Sequence, residues 1–239
     1  MSGHSKWNTI KRKKEKTDGQ RAKIFTKMGR EIAVAVRENG ADPLANSKLR
    51  ELIAKAKSLN VPNDNIDRAI KKGSDKDTNT YEYIQYEGYG PSGVAVIVEA
   101  LTDNRNRTAG DLRHYFDKFG GNLGQTGSVG FLFAQRGVVV IENNLQNEDK
   151  VMEDCLESGA VDFDIGDEAV EIFTDPGELG IVRDAMAAKG YVFASAEVEY
   201  IPSTYVRIDE EDLRVKMERL LEAMDDNDDV QNVWHNWDE

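Results

Sequence analysis

Residues 138–200 read VVVIENNLQNEDKVMEDCLESGAVDFDIGDEAVEIFTDPGELGIVRDAMAAKGYVFASAEVEY, and the order of patterns in this stretch decides the fold. The apolar run at 138–142 predicts a strand, 148–158 a helix, 161–165 and 169–174 a pair of strands, 176–189 a second helix and 191–200 a last strand. The sequence β-α-β-β-α-β is a split βαβ unit, the plan of a ferredoxin-like domain. Beyond Pro202 come one more strand at 205–208, a helix at 210–224 and a final strand around 230–234. Upstream, 81–87 and 94–100 predict two strands, 108–119 a helix carrying Leu112, Phe116 and Phe119, and 128–133 another strand. The elements after Pro202 look like the missing half of that upstream block. The expected class is therefore α+β, with a domain at 134–202 inserted into one made of 79–133 and 203–239.

The chain begins differently. Ile24, Met28, Ile32 and Val36 recur every fourth residue, as on one stripe of a helix, and Asn39-Gly40 ends it. Asp42-Pro43 offers a start signal for a second helix with Leu49, Leu52, Ile53 and Ala56 on one face. Pro62-Asn63 opens a third, with Ile66, Ala69 and Ile70 inward and Gly73 as its stop. Residues 19–78 thus predict a small three-helix domain, followed by the polar linker 74–80. Residues 1–18 lack periodicity and predict a basic, flexible tail.

A net charge of −13 over 239 residues conceals a sharp division. Residues 1–78 hold 19 Lys/Arg against 10 Asp/Glu, whereas 79–239 hold 12 against 34. A +9 segment joined to a −22 body suggests a basic arm for a polyanion and an acidic body that faces something else or keeps the chain soluble. The inserted stretch 134–202 is the most one-sided, with 16 acids to 4 bases. Its acidity reads as solubility, or as a face for a protein partner. No apolar run approaches the ~20 residues of a membrane-spanning helix. The basic start has no apolar stretch behind it, so a cytoplasmic protein without membrane contact is expected. Cys155 is the one cysteine, which excludes an intrachain disulfide and a cysteine-based zinc site.

Several motifs suggest chemistry and are better explained without it. Gly88-Tyr89-Gly90-Pro91-Ser92-Gly93 satisfies GxGxxG, but a strand follows where a dinucleotide site needs a helix. Asp225, Asn227 and Asp229 imitate the opening of a calcium loop, but Val230 stands where glycine is required and Asn236 where a bidentate glutamate is required. His4, His114 and His235 have no second ligand at metal spacing, and no nucleophile sits beside a recognisable base. A non-enzyme with no cofactor and no metal is expected. In Asn104-Arg105-Asn106-Arg107-Thr108, two arginines precede a helix. Arg105 and Arg107 suit an anion at its N-terminus, or else pair with acids while Asn106 or Thr108 caps the helix.

The strings GHSKWNTIK, GQRAKIFTKMGREI, VPNDNIDRAIKKG, EGYGPSGVAVIVEALTDNRNRT and GGNLGQTGSVGFLF, in order over most of the first 133 residues, closely resemble the YebC family, which includes the mitochondrial translational activators. The resemblance implies a helical domain followed by two α+β domains. It implies a nucleic-acid-binding regulator of gene expression, either a DNA-binding transcriptional regulator or a ribosome-associated translation factor that relieves stalling at poor substrates such as proline runs. A non-enzymatic scaffold whose acidic domains recruit proteins is a third reading. On the nucleic-acid readings, Lys23, Lys27 and Arg30, with Arg21 beside them, lie on phosphates of DNA or ribosomal RNA. Lys6, Trp7, Lys11, Arg12, Lys13, Lys14 and Lys16 enter a groove or cleft, with Trp7 able to stack on a base.

Overall fold

The computed structural model describes residues 7, 10, 18–75, 80–142 and 148–238, which form two compact units. One comprises 18–129 and 209–233; the other comprises 130–208 and 234–238 with residues 7 and 10. The chain therefore crosses between units at 129/130, 208/209 and 233/234. Residues 203–208 and 234–238, expected with the 79–133 block, belong instead with the ferredoxin-like unit. Val206–Arg207 (β8) and Trp237–Asp238 (β10) pair with each other in a parallel ladder, and Trp234 ties them to the unit by donating its Nε1 to Glu199 Oε2 and packing edge-on against Tyr200. Ser203 N also donates to Leu132 O at 2.8 Å.

In the first unit, α1 (Asp18–Asn39), α2 (Ser47–Ser58) and α3 (Asn63–Ser74) bury Met28, Ile32, Ala35 and Val36 against Leu49, Leu52, Ala56, Ile66 and Ala69. This is the every-fourth-residue stripe of the sequence. Two punctuation signals act differently than expected. The Asp42 carboxylate accepts from Leu44 N at 2.9 Å in a local turn, and Asn46 caps α2 instead, accepting from Leu49 N at 3.0 Å. The Asn46 amide also donates to Ala35 O and Gly40 O, so this buried side chain is satisfied on both sides. Gly73 does not end α3; it lies within it, and a Cβ there would sit 2.5 Å from Ala33 O. Its role is close approach between helices.

A four-stranded sheet ordered β3-β1-β2-β9 completes this unit. β1 (Glu82–Tyr89) and β2 (Ala95–Thr102) form an antiparallel hairpin across the GxGxxG string, turning at Ser92, whose φ is 57°. α4 (Arg105–Lys118) follows, then β3 (Asn122–Leu123), and the late elements α7 (Glu211–Asp225) and β9 (Val230–His235) return to complete the layer. Leu112, Phe116, Met217, Leu220 and Met224 are fully buried there. Of the stretch 128–133, only Phe133 is in a strand. Glu87, itself buried, accepts from Gly127 N at 2.9 Å and Val129 N at 2.8 Å, which holds those amides in a loop and leaves them unavailable to a ladder. Glu87→Ala strands both amides, and we expect it to cost about 2–4 kcal/mol. Urea unfolding measures this; a loss under about 1 kcal/mol contradicts the assignment.

The second unit contains β4 (Phe133–Glu142), α5 (Glu148–Glu157), β5 (Asp162–Ile165), β6 (Ala169–Thr174), α6 (Leu179–Ala188) and β7 (Phe193–Pro202). The sheet order is β5-β6-β4-β7 with antiparallel neighbours, the ferredoxin-like arrangement. Strand alternation separates two faces. Val139, Ile141, Val170 and Ile172 meet Val151, Cys155, Val182 and Met186 of the helices. Burial pushes the Cys155 thiol up to about 11. Val138, Val140 and Ala169 face the other way. Behind the helices, Asp154 binds Lys189 Nζ at 2.6 Å and the Tyr191 hydroxyl at 2.8 Å, and the Lys189 hydrogen bond holds its carboxyl below the usual range. Among the described residues no helix is long and apolar enough to cross a membrane.

Candidate nucleic-acid interface

Lys23, Lys27 and Arg30 recur at helical spacing along α1, as a phosphate-binding stripe would. Their structural partners are acids of the same chain. Lys23 pairs with Asp226 at 2.6 Å, Lys27 donates to Asp225 O at 2.8 Å, and Arg30 donates to Asp228 O and Asp229 Oδ1, each at 2.7 Å. The loop 225–229 follows the C-terminus of α7, where free carbonyls attract cations. Asp225 and Asp229, two of the residues that imitate a calcium loop, thus serve as acceptors for this stripe, while Asn227 Oδ1 accepts from Asp229 N.

Asp229 is the hub. Its side chain is 5% exposed; besides Arg30 it receives Arg107 at 2.7 Å, Thr108 Oγ1 at 2.8 Å and Thr102 Oγ1 at 3.2 Å. Burial alone would raise its pKa, but the hydrogen bonds from Arg107, Thr108 and Arg30 outweigh burial and hold the carboxyl below its ordinary value. Arg107 also binds Asp103 at 3.0 Å. The cleft they share is lined by Lys23, Arg30 and Arg107 with Asp103, Asp111, Asp226, Asp228 and Asp229, an excess of carboxylates that repels a phosphate. Of the two readings of the NRNRT string, acid pairing is the one observed for Arg107. The cap is Asn104, accepting from Arg107 N at 3.1 Å, upstream of both Asn106 and Thr108. Arg105 is exposed in the first turn of α4, and Arg21 is exposed on α1.

Trp7 is not presented for base stacking. It is half-buried on the second unit, packed with Ile10 beside Val138, Val140, Ala169, Phe173, Ala194 and Ile201, which also corrects a wholly mobile tail. Lys6, Lys11, Arg12, Lys13, Lys14 and Lys16 lie outside the described residues. Sequence reasoning passed over Arg50 and Lys57 on α2 and Arg68 and Lys71 on α3, all exposed. The signal was present, since none of these falls on the apolar stripes of the two helices.

Two family models match, described as "TACO1/YebC protein N-terminal domain" over residues 5–76 and "TACO1/YebC second and third domain" over 81–237. A relative from Finegoldia magna named "Probable transcriptional regulatory protein" is 56% identical over 239 residues, covering 100% of this chain and 99% of its own length. A relative of the same name from Ruminiclostridium cellulolyticum is 57% identical, covering 100% of this chain and 97% of its own length. The crystal structure of a conserved hypothetical protein from Aquifex aeolicus superposes with a TM-score of 0.84 at 42% identity, covering 93% of this chain and 92% of that one. With both models matched in order over nearly the whole chain and the same fold in a solved relative, the chain belongs to the TACO1/YebC family.

Proposed function

We propose that this chain is a non-enzymatic, cytoplasmic regulator of gene expression that binds nucleic acid through its N-terminal third. The observation that carries this reading is the charge division, 19 Lys/Arg to 10 Asp/Glu in residues 1–78 against 12 to 34 in the remainder. The name "Probable transcriptional regulatory protein" borne by its relatives supports transcription as the process and DNA as the target. Because the α1 stripe is paired with the loop 225–229, the phosphate contacts are assigned to Lys6, Lys11, Arg12, Lys13, Lys14 and Lys16, with exposed Arg50, Lys57, Arg68 and Lys71 on the helices.

Phosphate contacts position a protein without specifying sequence, so the binding expected is weakly sequence-selective and steeply salt-sensitive. With about six contacts, affinity for duplex DNA should fall on the order of a thousand-fold between 50 and 200 mM salt. Deletion of residues 2–17 should remove most of it while far-UV circular dichroism is retained. Salt-independent binding, or full affinity after the deletion, refutes the assignment. Crosslinking in cells, followed by sequencing of the attached nucleic acid, identifies the target; recovery of one ribosomal RNA locus in place of promoter DNA overturns the transcriptional reading.

A further inference from the structure

In the ferredoxin-like unit, α5 and α6 pack against one face of the sheet. On the other, Val138, Val140 and Ala169 are buried, and the side chains against them include Trp7 and Ile10 from the opposite end of the sequence. Two carboxylates fix the tryptophan in this place. Trp7 N donates to Glu171 Oε1 at 3.0 Å, and the indole Nε1 donates to Glu168 Oε2 at 2.9 Å. An indole needs an apolar bed for its ring and an acceptor for its N–H, and this face supplies both. Charge agrees with shape. The segment around Trp7 carries Lys6, Lys11, Arg12, Lys13 and Lys14, while residues 134–202 hold 16 acids to 4 bases.

We propose that this acid-rimmed sheet face is a receptor for the chain's own basic, tryptophan-bearing N-terminal segment, and that a polyanion competes with it for that segment. The competition rests on the nucleic-acid reading above; the receptor does not. Phosphates and the acidic domain attract the same lysines, so neutralising them on one weakens their hold on the other. Weakening the acidic rim raises the fraction of free segment and so tightens binding to the polyanion, by up to the same factor. The acidity of the inserted domain then has an occupant within the molecule. Release uncovers an apolar strand face that includes Val138, Val140, Phe173 and Ile201.

The test uses the full chain labelled with 5-fluorotryptophan, in which the Trp7 fluorine resonance is assigned by Trp7→Phe. A 20-base-pair duplex oligonucleotide is the probe, and its binding is followed separately by fluorescence anisotropy. As the oligonucleotide binds at low salt, the Trp7 resonance should move to a solvent-exposed position. The double variant Glu168→Gln, Glu171→Gln should bind the probe at least about threefold more tightly, since two charge-assisted bonds to the segment are weakened. Binding that leaves the Trp7 resonance in place and is unaltered by the double variant overturns the competition. An oligonucleotide that does not bind at all refutes the proposed function. The receptor is then decided by a synthetic peptide of residues 2–17 added to the chain lacking them. Saturable binding lost on Trp7→Ala in the peptide upholds it, and no binding to a folded deletion chain overturns it.

Discussion

Asp229→Ala should be the most destabilising single substitution at the junction of the helices and the first sheet. Removal of the carboxylate leaves Arg30, with a side chain 17% exposed, and the hydroxyls of Thr102 and Thr108 without their shared acceptor. Loss of one member of a buried pair costs about 3–5 kcal/mol. Arg107 is 46% exposed and regains water, so about 2–3 kcal/mol is the expectation here. Asp226→Ala, three residues earlier, removes only the exposed pair with Lys23 and should cost less than about 1 kcal/mol. Urea unfolding of the two variants makes the comparison, and equal losses contradict a hub at Asp229. The effect has a pH signature. Because the folded pKa of Asp229 is depressed, its contribution is complete above the unfolded carboxyl value of about 4 and is lost as pH falls through the folded value. The gap between wild type and Asp229→Ala should therefore close on acidification.

The second large effect is a sign reversal between two helical glycines. Glycine to alanine in an exposed helix interior gains about 1 kcal/mol by restricting the unfolded chain. Gly110 in α4 is exposed and has nothing within 4 Å of an added Cβ, so Gly110→Ala should stabilise by about 0.5–1 kcal/mol. At Gly73 the added Cβ would meet Ala33 O at 2.5 Å and the Val36 Cβ at 2.8 Å. A backbone oxygen cannot rotate aside, so α1 and α3 must separate, and Gly73→Ala should cost about 1–3 kcal/mol. Thermal melting of the two variants should show shifts of opposite sign; shifts of the same sign contradict the packing role of Gly73.

The comparison with the sequence divides along the range of the interactions. Local patterns were readable: the period-3.6 stripe Met28, Ile32, Val36 placed the correct helix face inward, and the apolar run at 138–141 marked a strand buried on both faces. The helix starts were less legible, because Asp42 and Asn46 have similar chemistry and only the tertiary acceptors Ala35 O and Gly40 O select Asn46. The candidate site was least legible. A stripe of Lys23, Lys27 and Arg30 looks the same whether its counterions are phosphates or the loop 225–229, and nothing within a window of α1 distinguishes them. The packing of Trp7 was illegible for the same reason, since Glu168 and Glu171 lie 161 and 164 residues away.

The separation of about 200 residues between Arg30 and its acceptors also sets a timetable for the newborn chain. The three helices leave the ribosome early, but the carboxylates and carbonyls that hold the α1 cations belong to residues 225–229. At roughly 5–20 residues per second the interval is on the order of 10–40 s. During it α1 presents an unneutralised row of charge to whatever polyanion surrounds the exit site. A product that terminates before Asp225 keeps that row, so a change some 200 residues downstream alters the electrostatics of α1.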